Sequence, residues 1–167
     1  MGTETKEKPK VIEDYVLMDN EGNQVRLSSL FGDKDYLIVL HNMGKSCPNS
    51  ALWGDEFNGM LKALEKTAGF CIVGPDDPQT QKAYVKERGW LAKLYSARGG
   101  TFIKDLGFED EEGDAMPGVS IFQKGRDGKI FRLEQTNVPK DDRAPSVLEV
   151  LWMVPDVEIK DLAWGKS

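Results

Sequence analysis

Tyr36-Leu37-Ile38-Val39-Leu40-His41-Asn42-Met43-Gly44-Lys45-Ser46-Cys47-Pro48-Asn49-Ser50-Ala51 is the stretch on which the fold turns. Its first five residues are apolar without alternation, which reads as a strand buried on both faces. A short loop carrying Gly44, Lys45 and Ser46 follows, and Cys47-Pro48 then opens a segment with helical periodicity. Pro48 suits a first turn, where its missing N–H would be unpaired anyway. A cysteine at this point meets the free N–H groups and partial positive charge of a helix start, which favour a thiolate. The thiolate is the nucleophile of thiol chemistry.

Beyond that helix start, Trp53, Phe57, Met60, Leu61 and Leu64 recur at spacings of three and four, one apolar stripe. Gly54 and Gly59 interrupt it, and either close packing or a bend accounts for them. Phe70-Cys71-Ile72-Val73 is a second buried strand, ended by Gly74-Pro75. Asp77-Pro78 marks a helix running to about Arg88, with Gly89 as its stop. Leu94-Tyr95 reads as a short strand, Thr101 to Gly107 as a short helix, and Glu109 to Asp114 as an acidic solvated loop. Two strands, Val119 to Phe122 and Lys129 to Arg132, flank the turn Gly125-Arg126-Asp127-Gly128. Ala144-Pro145-Ser146 opens a last amphipathic helix through about Met153.

Upstream, Tyr15-Val16-Leu17 and Val25-Arg26-Leu27 form a hairpin about Asp19 to Asn23, and Ser28 to Gly32 is one helical turn. Residues 1–10 are polar, lack apolar anchors and read as a disordered tail, leaving 11–167 as a single domain. Alternating β and α segments imply a parallel core with crossover helices. The late hairpin makes the sheet mixed, covered by helices on both faces.

Composition narrows the function classes. The chain of 167 residues carries a formal charge of −6 and no basic stripe, which argues against a nucleic-acid surface. No apolar run approaches the roughly 18 residues of a membrane span, and the start MGTETKEKPK lacks the apolar core of a signal peptide. A cytoplasmic protein is expected. Two cysteines are too few for a disulfide framework. One histidine and two distant cysteines fall short of a four-ligand zinc site, so no metal or other cofactor is expected.

This pattern resembles the thioredoxin-like α/β fold, in its peroxiredoxin-like branch (alkyl hydroperoxide reductase and thiol-specific antioxidant), with an N-terminal hairpin extension. The residues that carry the likeness are the hairpin 15–30, the strand before Cys47, and Met116-Pro117-Gly118-Val119-Ser120-Ile121-Phe122. More closely, the strings Ser46 to Trp53, Ala83 to Trp90 and Pro117 to Phe122 resemble a bacterial thioredoxin-like family of unknown function.

The resemblance implies that Cys47 is the nucleophile and that Pro117 follows a cis peptide bond beside it, with Met116-Pro117 shaping a substrate groove. Ser50 stands where a C-x-x-C protein has its second cysteine, so a resolving thiol comes from outside: a low-molecular-weight thiol or another protein. Leu40 and Gly44 stand where peroxiredoxins carry proline and Thr or Ser, seven and three residues before the cysteine. The motif that positions a peroxide is therefore missing. Peroxiredoxin-like folds often dimerise, and a homodimer is one expectation.

Each candidate has a plainer reading. Cys47 is either a reactive thiolate, aided by Lys45 and the dipole, or a helix-cap cysteine without chemistry. Ser50 either donates to the thiolate or is a first-turn serine. His41 is either an accessory base or, better, a strand-end histidine packed against its neighbours. Cys71 reads as a small buried hydrophobe. Trp53, Trp90 and Trp152 read as core or half-buried packing, Trp53 also as a wall of an apolar pocket near Cys47. The leading expectation is a thiol-dependent oxidoreductase using Cys47 alone. The alternatives are a catalytically silent binding or scaffold module, and an atypical one-cysteine peroxidase.

Overall fold

In the computed structural model, residues 9–138, 144–155 and 157 are described. Among the described residues, eight strands, β1 (Lys10–Ile12), β2 (Val16–Met18), β3 (Gln24–Arg26), β4 (Tyr36–His41), β5 (Gly69–Gly74), β6 (Leu94–Ser96), β7 (Gly118–Lys124) and β8 (Ile130–Asn137), form one mixed sheet in the order β1-β8-β7-β4-β5-β6-β2-β3. Its centre is β4 (Tyr36–His41), parallel to β5 (Gly69–Gly74) and antiparallel to β7 (Gly118–Lys124). β6 (Leu94–Ser96) continues the parallel set, and β8 (Ile130–Asn137) pairs antiparallel with β7. The expected N-terminal hairpin is β2 (Val16–Met18) with β3 (Gln24–Arg26), joined to the sheet through β6.

Strand alternation divides the core in two. Ile38 and Leu40 of β4, Phe70 and Ile72 of β5, and Val119 and Ile121 of β7 face one side. There they are covered by α1 (Pro48–Gly59), α2 (Leu61–Thr67), α3 (Pro78–Arg88) and α5 (Val147–Met153). Leu37, Val39, Cys71, Val73 and Phe122 face the other, beneath a 3-10 turn (Leu27–Phe31) and α4 (Phe102–Asp105). Helices thus flank both faces, with the longer ones on a single side. α1 and α3 are the two crossovers of β4-β5-β6, and crossovers of one hand place both on one face.

α3 begins and ends as its sequence dictates. Asp77 accepts a hydrogen bond from the Thr80 N–H at 2.8 Å, Pro78 fills the first turn, and Gly89 takes the left-handed conformation at φ 70°. The stripe after Cys47 is two helices rather than one. The chain breaks at Met60 (φ −106°, ψ 15°), directly after Gly59. Gly54 serves close packing instead, since a Cβ there would lie 2.4 Å from Cζ2 of Trp90.

Two expectations are corrected. Of the tail 1–10, residues 1–8 lie outside the described residues, but Lys10 already starts β1 (Lys10–Ile12), paired with Arg132 of β8. Trp152 is not packed: it is 67% exposed, because Val147, Val150, Leu151 and Val154 take the buried face of α5 and turn its neighbour outward. Trp164 lies outside the described residues.

Candidate functional site

The loop between β4 and α1 is fixed by its own backbone donors. The Asn42 N–H donates to Val73 O, the Gly44 N–H to Asn42 Oδ1 at 2.7 Å, and the Lys45 N–H to Asp76 Oδ2 at 2.7 Å. Gly44 adopts φ 110°, which an L side chain resists. The loop closes with the Cys47 N–H donating to Gly44 O, leaving Cys47 as the N-cap of α1 in extended conformation.

Cys47 is half-buried, with Sγ 3.7 Å from Sδ of Met43. It opens into a cleft of about 680 Å³. Met43, Leu52, Trp53, Met116, Pro117 and Val138 give the cleft its apolar walls, and Glu56 and Asp110 bring carboxylates to it. The volume falls in the range of about 300–1,000 Å³ typical of small-molecule sites.

The walls are held from behind. Trp53 donates its indole N–H to Pro145 O at 3.0 Å, and the Val147 N–H donates to Glu56 Oε1 at 2.9 Å, docking the start of α5 on α1. Opposite, the Met116 N–H donates to Phe108 O and the Val138 N–H to Pro117 O. The Met116-Pro117 bond is trans, against the cis bond that the resemblance implied. Trans is the lower-energy form of an X–Pro bond by about 0.5–1 kcal/mol, and here both flanking backbone groups find partners in it.

Of the candidates read from the sequence, Cys47, Ser50, Trp53, Met116 and Pro117 line this one cleft. Ser50 is buried, and its Oγ accepts from the Met43 N–H at 3.0 Å, so the hydroxyl braces the loop that carries the cysteine. Lys45 does not line the cleft; it is exposed on the Asp76 side of the loop.

His41 lies on the opposite face of the sheet. Its ring stacks on Phe108 at 3.5 Å between centroids, and its Nε2 meets the Ser120 hydroxyl at 2.8 Å. Burial pushes its pKa down to about 3, which keeps the ring neutral. It is the packed strand-end histidine, and an accessory role at Cys47 finds no support in this placement. Cys71 sits on that same far face, and burial pushes its thiol up.

Sequence reasoning missed Met43, Leu52, Glu56, Asp110 and Val138 as cleft residues. The one available signal was an apolar Met43 within an otherwise polar loop. Asp110 belongs to the acidic loop, where its Oδ1 accepts from the Glu112 and Asp114 N–H groups. Three of the five carboxylates of that loop, those of Asp110, Glu112 and Asp114, bring oxygens within 4.8 Å of one another.

The sequence matches the family described as bacterial protein of unknown function (DUF899) over residues 7–160. The chain belongs to that family. No curated protein matches it. Among solved structures, it is similar to a peroxiredoxin-like protein from Aquifex aeolicus, with 18% identity and a TM-score of 0.65 over 96% of this chain and 90% of that one. Reduced Prx3 in complex with H2O2 from Vibrio vulnificus superposes with a TM-score of 0.67 at 13% identity, over 87% of this chain and 96% of that one. Peroxidoxin BcpB from Mycobacterium tuberculosis gives 0.61 at 20% identity, over 77% and 84% respectively. The DUF899 chain therefore has the thioredoxin-like fold in its peroxiredoxin-like form. No helix among its described residues is long and apolar enough to cross a membrane.

Proposed function

We propose that this DUF899 protein is a thiol-dependent oxidoreductase in which Cys47 alone carries the chemistry, reducing a small hydroperoxide or disulfide in the cleft. The observation that carries the reading is the contrast between two sulfurs. Cys47 opens at a helix N-cap into a cleft of about 680 Å³, whereas Cys71 is sealed on the far side of the sheet.

With a hydroperoxide, the Cys47 thiolate attacks the terminal oxygen. The S–O bond forms and the O–O bond breaks, and the departing alkoxide takes a proton from solvent to leave as the alcohol, with Cys47 left as the sulfenic acid. An external thiol then attacks the sulfenic sulfur, releasing water and leaving a mixed disulfide. A second thiol reduces that disulfide and restores Cys47. External resolution follows from Ser50, which has no sulfur, and from Cys71, which cannot reach. A reducing compartment rich in small thiols, as the cytoplasm is, suits such a cycle.

One observation favours the silent binding module instead: the Ser50 hydroxyl is engaged by the Met43 N–H, while Leu40 and Gly44 replace the peroxide-positioning residues. Consumption of cumene hydroperoxide with dithiothreitol as donor separates the two readings. Turnover that disappears in Cys47→Ser supports the oxidoreductase. Equal consumption by wild type and Cys47→Ser rejects it and leaves the binding module.

A further inference from the structure

The cleft that receives Cys47 is apolar along its walls and acidic at its charged positions. Asn49, Leu52, Trp53 and Glu56 stand at i, i+3, i+4 and i+7, so one face of α1 makes one wall, with Cys47 capping its start and Glu56 in its last turn. Asp110 and Met116-Pro117 complete the cleft from the segment before β7. Among the described residues that line it there is no lysine, arginine or histidine. Lys45, the basic residue closest to Cys47 in sequence, lies on the Asp76 side of the loop. Outside the described residues, Lys140 and Arg143 are balanced in charge by Asp141 and Asp142.

Neither carboxylate is neutralised from behind. Glu56 Oε1 accepts from the Val147 N–H, and Asp110 Oδ1 accepts from the Glu112 and Asp114 N–H groups, each at 2.9 Å. These partners are uncharged, and no ion pair among the described residues includes either side chain. Asp110 also leads the field of its loop, because Glu112 and Asp114 bring oxygens within 4.8 Å of its own. The positive end of α1 acts within its first turn, and Cys47 itself caps it.

We propose that Glu56 and Asp110 set the charge specificity of the cleft: Cys47 exchanges with neutral or cationic sulfur compounds, such as aminothiols, and disfavours those that carry a carboxylate. An anionic ligand meets two like charges between apolar walls with no cation to receive it, and such walls strengthen the field relative to open water. An ammonium group gains from the same field. That the favoured compound is the resolving thiol rests on the oxidoreductase reading; the charge preference is a property of the cleft.

The test is thiol–disulfide exchange on the full chain. The Cys47 thiolate attacks one sulfur of a symmetric disulfide, a new S–S bond replaces the old one, and the other half leaves as a thiolate. The probes are cystamine (cationic), hydroxyethyl disulfide (neutral) and dithiodipropionate (anionic), at about 0.01 M ionic strength, where the Debye length of about 30 Å spans the cleft. Peptide mass spectrometry follows the mixed disulfide at Cys47. Each rate is divided by that of the free neutral thiol N-acetylcysteine amide with the same probe, which removes intrinsic reactivity.

Wild type is expected to prefer cystamine over dithiodipropionate by about tenfold, so the anion still reacts, only more slowly. Glu56→Gln with Asp110→Asn is expected to cut the preference to about twofold or less, while keeping the acceptor oxygens that the backbone uses. Salt at about 0.5 M is expected to do the same to wild type, which tests the charges without any substitution. A flat ordering in wild type, or one that the paired substitutions and salt leave intact, overturns the inference; Cys47-dependent turnover of cumene hydroperoxide then still supports the oxidoreductase. The ordering without such turnover overturns the oxidoreductase and keeps the charge preference. Failure of Cys47 to exchange with any of the probes overturns both.

Discussion

At the scale of single residues, two buried polar side chains on different faces of the sheet tie the fold down in different ways. Ser50 accepts from the Met43 N–H, so Ser50→Ala leaves that partly buried donor empty. A loss of about 1–3 kcal/mol is expected in urea denaturation, whatever happens to reactivity. His41 instead links stability to pH. Its folded pKa is depressed to about 3, while the unfolded value is near 6.5. Between those values the unfolded chain binds a proton that the folded chain does not. Stability therefore rises with pH through that window and is lost as pH falls from about 6.5 toward 3. Comparing wild type with His41→Gln isolates this proton from the carboxylates. The variant is expected to be less stable at pH 7 but to show a shallower fall in unfolding free energy between pH 6 and 5. The slope removed approaches about 1.4 kcal/mol per pH unit. Equal slopes would mean that a second group, not His41, carries the proton.

At the scale of elements, the two glycines of α1 separate packing from propensity. Gly54→Ala drives a methyl into Trp90, and overpacking of this kind costs about 1–3 kcal/mol although alanine is the better helix former. Gly59 has open space around it, so Gly59→Ala is expected to be neutral or to stabilise by about 0.5 kcal/mol. Chemical denaturation of the two single variants checks the opposite signs. The same helix shows where sequence reading stops. Asp77-Pro78 and Gly89 bound α3 correctly because caps are local chemistry, whereas the roles of Gly54 and Gly59 depend on what stands opposite them. β1 escaped notice for a similar reason: three residues are a strand only because β8 offers its edge. Cys47 could be named because strand, loop and helix start are contiguous.

At the scale of the whole molecule, the sheet acts as a partition between two sulfurs. β4 and β5 run parallel with Val39 opposite Cys71, so Cys71 shares the far face with Phe102, Phe108 and Phe122. Cys47 stands past the end of β4, at the start of a helix on the near face. A disulfide requires Cα atoms within about 7 Å, and no side-chain rotation carries one sulfur through a packed sheet. The two thiols should therefore report different events. Under native conditions Ellman's reagent is expected to titrate one thiol quickly, and Cys47→Ser to remove that phase entirely. The second thiol should appear only in denaturant, at the rate at which the far core opens, because burial both excludes the reagent and holds the Cys71 thiol protonated. Two fast thiols in the native state would mean that the sheet does not separate them. Cys71 would then return as a resolving partner, and the external thiol on which the proposed cycle depends would no longer be required.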